Sequence, residues 1–145
     1  MDRSGVRFVG SAGQTRTQQT TVWCGGCGVR FGAEFHVSLN ARTTPEMLDV
    51  FVKGGFAALN EMVCPSCGWT HVAQESLSVH LPEQRRLVLV IPEMLRHRAE
   101  HLRAALIRAV ADEPGMILPE YALAPELVIE AAGLAALLMA QEASK

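Results

Sequence analysis

Cys24-Gly25-Gly26-Cys27 and Cys64-Pro65-Ser66-Cys67 hold all four cysteines of the 145-residue chain. Two thiolates separated by two residues on a tight turn converge on one point, and four thiolates make the soft tetrahedral shell that zinc prefers. Gly28 and Gly68 follow the two pairs, where a left-handed residue leaves backbone amides free to point at sulfur. Val22 and Trp23 precede the first pair, Met62 and Val63 precede the second, and Trp69 follows it, so each knuckle has strand-type flanks. The pattern predicts one structural zinc, with Cys24, Cys27, Cys64 and Cys67 as its ligands, in a ribbon of two knuckled hairpins. The 36 residues between the knuckles are no obstacle. Loop-closure entropy grows only logarithmically, and structural zinc contributes roughly 10–16 kcal/mol in small metal-dependent domains. Two other uses of the cysteines stay open, a disulfide framework and a redox dithiol. Disulfides are rare in reducing compartments, and a thioredoxin-type pair opens a helix, which neither pair does here.

Outward from the knuckles the pattern is β-like. Phe31, Ala33, Phe35, Val37 and Leu39 alternate with smaller or polar residues, which predicts a strand with one buried face. Thr44-Pro45-Glu46 opens a short helix with Thr44 as N-cap and Met47, Leu48, Phe51 and Val52 as its apolar stripe; Gly54-Gly55 stops it. Phe56 to Val63 reads as a strand into the second knuckle and Trp69 to Leu81 as one leaving it. Pro82 to Arg85 is a turn, and Arg86 to Ile91 a buried strand. Beyond Pro92 the character changes. Pro92 to Ala111 reads as one amphipathic helix, ended by Asp112-Glu113-Pro114-Gly115, and a second helix begins near Pro119 or Pro125 and runs through Leu127, Val128, Ala131, Leu134, Leu138 and Met139. Gly133 in that helix permits close approach of another backbone. The expected fold class is α+β, an antiparallel zinc-ribbon-type sheet with a short inserted helix and two C-terminal helices. Its expected parts are a flexible arm over 1–19, a zinc-ribbon β domain over 20–92, and a helical pair over 93–145 packed on that domain or on a partner.

Composition narrows the function classes. Hydrophobic residues make up 49% and charged residues 19%, enough for a core and unlike a disordered chain. Thirteen Lys and Arg against fifteen Asp and Glu give a net charge of -2, which excludes a generally polybasic protein. No apolar run is long enough to span a membrane, and the polar first twenty residues do not read as a secretion signal. A cytoplasmic location is expected.

The chain resembles the bacterial CpXC domain family over about Thr20 to Glu93. The resemblance rests on Val22-Trp23-Cys24-Gly25-Gly26-Cys27-Gly28, Ser38-Leu39-Asn40, Thr44-Pro45-Glu46, Gly54-Gly55-Phe56, Val63-Cys64-Pro65-Ser66-Cys67-Gly68 and Leu87 to Pro92. The family's usual proline after the first cysteine is present as Pro65 and replaced by Gly25 in the first knuckle, which removes no ligand. Of the family's Tyr-His-Asp before the last strand only His80 survives, within Val79-His80-Leu81. The resemblance implies a zinc-binding domain and names no reaction.

Three sharper features remain. His97, Glu100 and His101 match the H-x-x-E-H string of inverted zinc peptidases, yet only 44 residues follow and no third ligand is evident. The alternatives are a second, non-catalytic metal site at His97 and His101, or a solvated helix face. Arg85, Arg86, Arg96, Arg98, Arg103 and Arg108 supply six of the thirteen basic residues and mark a candidate nucleic-acid contact, with Trp23 and Trp69 as stacking groups or as core. Residues 131–140 are almost wholly apolar and point to burial on the domain, on a protein partner or in a homodimer. Four thiolates close a zinc shell and leave no position for substrate water, so catalysis is not expected. The sequence reads as a non-catalytic zinc-binding module for protein interaction or regulation, with a nucleic-acid-binding, transcription-associated regulator as the alternative.

Overall fold

The computed structural model describes residues 13–112 and 120–143. Residues 1–12 of the expected arm, and 113–119 with the expected helix stop at Pro114-Gly115 and helix start at Pro119, lie outside the described residues. The elements run β1 (Arg16–Trp23), β2 (Arg30–Asn40), α1 (Pro45–Leu59), β3 (Glu61–Val63), β4 (Thr70–Val72), β5 (Leu77–Leu81), β6 (Arg86–Ile91), α2 (Ala99–Ala111), β7 (Glu126–Ile129) and α3 (Glu130–Ala143). β1 therefore opens inside the stretch read as an arm.

The class is α+β, and the sheet is mixed where the sequence pointed to an antiparallel one. Its order is β1-β2-β5-β6-β7, with β2/β5 and β6/β7 parallel and β1/β2 and β5/β6 antiparallel. Parallel neighbours need long crossovers. The first runs through α1 and a separate β3–β4 hairpin, the second through α2. The sheet thus continues past position 92, because β7 pairs with β6 from Val88↔Glu126 to Ile91↔Ile129.

Four local readings need correction. Phe56 to Leu59 is helical: Gly55, at φ 73°, breaks the helical backbone where the sequence placed the stop, but the chain re-enters a helix directly after it, and only Glu61–Val63 extends into the knuckle. Trp69 to Leu81 divides into β4 and β5, which belong to different sheets. Pro92 to Ala111 is a 3₁₀ turn over Glu93–Arg98 followed by α2. Leu127 to Ile129, read as helix, is strand β7, and α3 starts only at Glu130. Val128 and Ile129 are β-branched, but the segment abuts a long apolar run, so its periodicity merges with the helix that follows.

One face of the sheet packs on α1 and α3. Leu39, Leu77, Val79, Val88 and Val90 meet Phe51, Phe56, Ala131 and Leu134 there. Phe51 and Phe56 pack edge to face at 4.9 Å between ring centroids. Gly133 sets α3 against β7, since a Cβ there would lie 3.0 Å from Val128 Cβ. Thr44 holds the N-cap position, but its hydroxyl donates to Asn40 O at 3.1 Å rather than capping the helix amides.

β2 serves two cores. Its register against β1 slips between Arg16↔Ser38 and Thr17↔His36, which inserts an extra residue and turns the side chains beyond it. Phe31 and Phe35 consequently join a small cluster with Cys24, Met62, Cys64 and Ala73, while Leu39 belongs to the main core. The alternation from Phe31 to Leu39 does not define a single buried face.

Candidate metal centre

The knuckles occupy the tips of two hairpins, residues 24–29 between β1 and β2 and residues 64–69 between β3 and β4. Their backbones repeat one pattern. Cys24 N donates to Val29 O and Gly28 N to Cys24 O, both at 2.9 Å; Cys64 N donates to Trp69 O and Gly68 N to Cys64 O, also at 2.9 Å. Gly28 and Gly68 have φ of 78° and 79°, the left-handed region that the motif requires and glycine enters without strain. Gly26 N points at Cys24 Sγ, 3.2 Å away.

The second hairpin is aimed by Asn60 and Trp69. Asn60, almost fully buried, accepts from His36 N on Oδ1 at 2.7 Å and donates from Nδ2 to His36 O at 3.1 Å. Its own carbonyl accepts from Ala73 N. Trp69 lies on the first knuckle so closely that a Cβ at Gly26 would collide with its indole. A glycine-only surface on one knuckle and a tryptophan on the other make a matched contact, which gives the Gly25-Gly26 variant of the motif a packing reason. Nothing in the sequence marks Asn60 beyond its being a polar residue between two apolar runs.

The four Sγ atoms lie within 4.8 Å of one another. Cys24 Sγ stands 3.5 Å from Cys67 Sγ, and Cys27 Sγ 3.7 Å from Cys64 Sγ. These are not disulfides, whose sulfurs sit about 2.05 Å apart, and all four cysteines are free. They match the edge of about 3.8 Å that a tetrahedron of sulfurs has when each is about 2.3 Å from a central ion. Cys24 and Cys64 are buried while Cys27 and Cys67 are exposed, so the cage has a protein side and an open side.

The thiols do not share one ionisation state. Burial would raise Cys24, but the His71 side chain and the amides of Cys27 and Gly26 outweigh it and bring its pKa down to about 5. At Cys67 the Trp69 amide pulls down, yet burial and the three neighbouring sulfurs prevail and push it up to about 12. Cys27 is raised as well: the Val29 amide lowers it, and burial with the Cys64 sulfur raises it further. Cys24 is thus held as a thiolate by donors, while Cys27 and Cys67 resist negative charge beside it, as crowded sulfurs do. A divalent ion would reverse that resistance, because metal binding deprotonates thiols outright. His71 lies beside this group, and its buried Nε2 has no hydrogen-bond partner of normal geometry among the described residues. The donor set therefore fits a thiophilic ion.

A family model described as CpXC protein matches residues 22–137. The chain belongs to the CpXC family. The match reaches beyond the stretch that carries the sequence resemblance and takes in β7 and most of α3. No curated protein and no solved structure matches the chain.

The other residues singled out from the CpXC sequence fall elsewhere. His97, Glu100 and His101 are all exposed, and among the described residues the four cysteines form the one group of three or more such side chains placed to share an ion. Arg86 pairs with Glu126 and Arg96 with Glu93, Arg103 Nε donates to Pro125 O at 2.8 Å, and the Arg85 guanidinium lies over the Tyr121 ring. Arg98 and Arg108 are exposed. Trp23 and Trp69 are 67% and 53% exposed, which settles their place as surface and not core. His80 is buried; its Nδ1 meets Gly13 O at 3.0 Å and its Nε2 meets the Tyr121 hydroxyl at 2.7 Å. The carbonyl only accepts, so Nδ1 carries the proton and Nε2 accepts from tyrosine. No helix among the described residues is long and apolar enough to cross a membrane.

Proposed function

We propose that this CpXC protein is a non-catalytic, zinc-binding module that works by protein interaction, with the knuckle face as its contact surface. The observation that carries the reading is the location of its exposed large apolar side chains. Among the described residues, Trp23, Val29, Val63 and Trp69, half of the eight such residues, sit in or beside the two knuckles. Scattered exposed apolar residues are ordinary, but a cluster of them with two tryptophans is the composition of a binding hot spot. Zinc is the ion favoured by four thiolates in tetrahedral array, and four protein ligands leave it no open position for chemistry. When bound, it would neutralise the thiolates and fasten one hairpin tip to the other. The free thiols suit a reducing compartment such as the cytoplasm.

Native mass spectrometry of protein purified under reducing conditions without added metal tests the metal reading. One zinc per chain is expected, and none in Cys64→Ser. A metal-free chain two protons light per cysteine pair would move the protein to the redox class. Affinity capture from extract of the source cell, comparing wild type with Trp23→Ser/Trp69→Ser, tests the surface. Loss of retained partners with zinc still bound supports it; identical capture removes it.

A further inference from the structure

Helix α2 is fastened to the body at two places along its length. Val110 is fully buried with Leu87 and Ala122, and Arg103 reaches across to Pro125 O. Between the helix and the sheet lies a cleft of about 270 Å³. Phe35 and Val37 of β2 and Leu89 of β6 form its floor, and Leu102, Ala105 and Leu106 of α2 form its roof. Phe35 and Leu89 are buried, whereas the three roof side chains are only half-buried. Protein interiors are close-packed, and a gap of this size forfeits dispersion contacts on both walls, which an apolar body placed inside it would restore. The volume falls just below the 300–1,000 Å³ typical of drug-sized ligands and above the roughly 150 Å³ that holds benzene, so a six-carbon body fits with room to spare.

The polar lining is sparse and points one way. Gln18, Ser76 and Ser78 contribute neutral oxygens, and Glu75 is the one charged residue of the lining. Glu75 is exposed at the mouth and has no ion-pair partner among the described residues. An unpaired carboxylate beside an apolar cleft attracts a cation and repels an anion.

We propose that this cleft binds a small organic cation, a protonated amine on a short apolar body. The body lies between Leu89 and Leu102, and the ammonium meets the Glu75 carboxylate, with the Gln18 side-chain carbonyl and the Ser76 hydroxyl as further acceptors. None of the lining residues is a cysteine, so the proposal stands apart from the metal centre.

The test is titration of the full-length, metal-loaded protein with n-hexylamine, hexan-1-ol and hexanoate at pH 7, read by amide chemical shifts in ¹H–¹⁵N spectra. Hexylamine is expected to saturate shifts at Phe35, Ser78, Leu89 and Leu102, about two- to fivefold more tightly than hexanol, the preference an exposed charge pair supplies. Hexanoate is expected to bind more weakly than either. Glu75→Gln should erase the preference for the amine and leave hexanol binding unchanged. Ala105→Trp should fill the cleft and abolish binding of all three. Equal binding of the three probes, or a preference that survives in Glu75→Gln, would overturn the choice of a cation. Absence of saturable shifts with every probe would overturn the site itself. Should Ala105→Trp fail to fold, the Glu75→Gln comparison, on an exposed side chain, decides the matter alone.

Discussion

The two largest cores of the molecule differ in self-sufficiency. The main core joins the sheet to α1 and α3 through eleven buried side chains, all of them apolar. The hairpin core has six, and two of those are the cysteines Cys24 and Cys64. Fully burying a Val, Leu, Ile or Phe side chain contributes about 1.5–3 kcal/mol, so the main core is held by burial. The hairpin core closes on sulfur atoms crowded within 4.8 Å of one another and carries its tryptophans on the outside. The difference teaches that one half of the fold is held by the hydrophobic effect, while the other closes on a cysteine cluster that could hold a metal ion.

Removing the metal is the most severe way to break that comparison. With structural zinc contributing roughly 10–16 kcal/mol in zinc-finger peptides, chelation should strip hydrogen-exchange protection from the amides of residues 24–29 and 64–69. Those of β5 and β6 should keep theirs. Simultaneous loss in both regions would mean one cooperative unit and end the distinction. The reciprocal break is Phe51→Ala, which empties a fully buried site. It should cost about 3–5 kcal/mol in denaturant unfolding, and metal content before the transition should be unchanged.

Gly26→Ala sharpens the comparison within the hairpin core. Its new methyl would displace the Trp69 ring, with an expected cost of about 1–3 kcal/mol typical of overpacking and a red-shifted tryptophan emission. Unaltered emission would mean that Trp69 does not rest on the first knuckle in solution. The smallest effect belongs to pH. Burial lowers the His80 pKa, the Gly13 bond opposes that shift, and the positive charge of Arg42 adds to it. The unfolded chain therefore binds more protons as pH falls through the ordinary histidine value of 6.5. Stability should be flat above that value and fall below it, by at most about 1.4 kcal/mol per pH unit. His80→Asn should flatten the slope between pH 7 and 5 in thermal or urea denaturation; an identical slope would assign the dependence to other groups.

How much could be read in advance differs between the same two regions. The knuckles were legible because the chemistry is local: two C-x-x-C pairs, each followed by a glycine that the turn demands. The cage itself, α1 as far as Gly55, and β6 could all be anticipated from spacing and periodicity. β7 could not, because its four residues run into the apolar start of α3, and its pairing partner lies some forty positions earlier. The two roles of β2 were hidden for a related reason. A one-residue slip against β1 redirects every side chain beyond it, and no alternation of residue types records that slip.

By itself the sequence determined the four sulfurs, the hairpin turns that aim them, the α+β class and the family resemblance. These follow from short-range geometry and from residue chemistry that travels with the chain. Only the tertiary structure decided that the sheet is mixed, that Trp23 and Trp69 face outward, that Asn60 and Trp69 aim the second hairpin, and that α2 stands over a cleft. Each of those depends on which distant surfaces meet. Burial and register are settled by the whole set of contacts at once, and no local pattern of residues contains them.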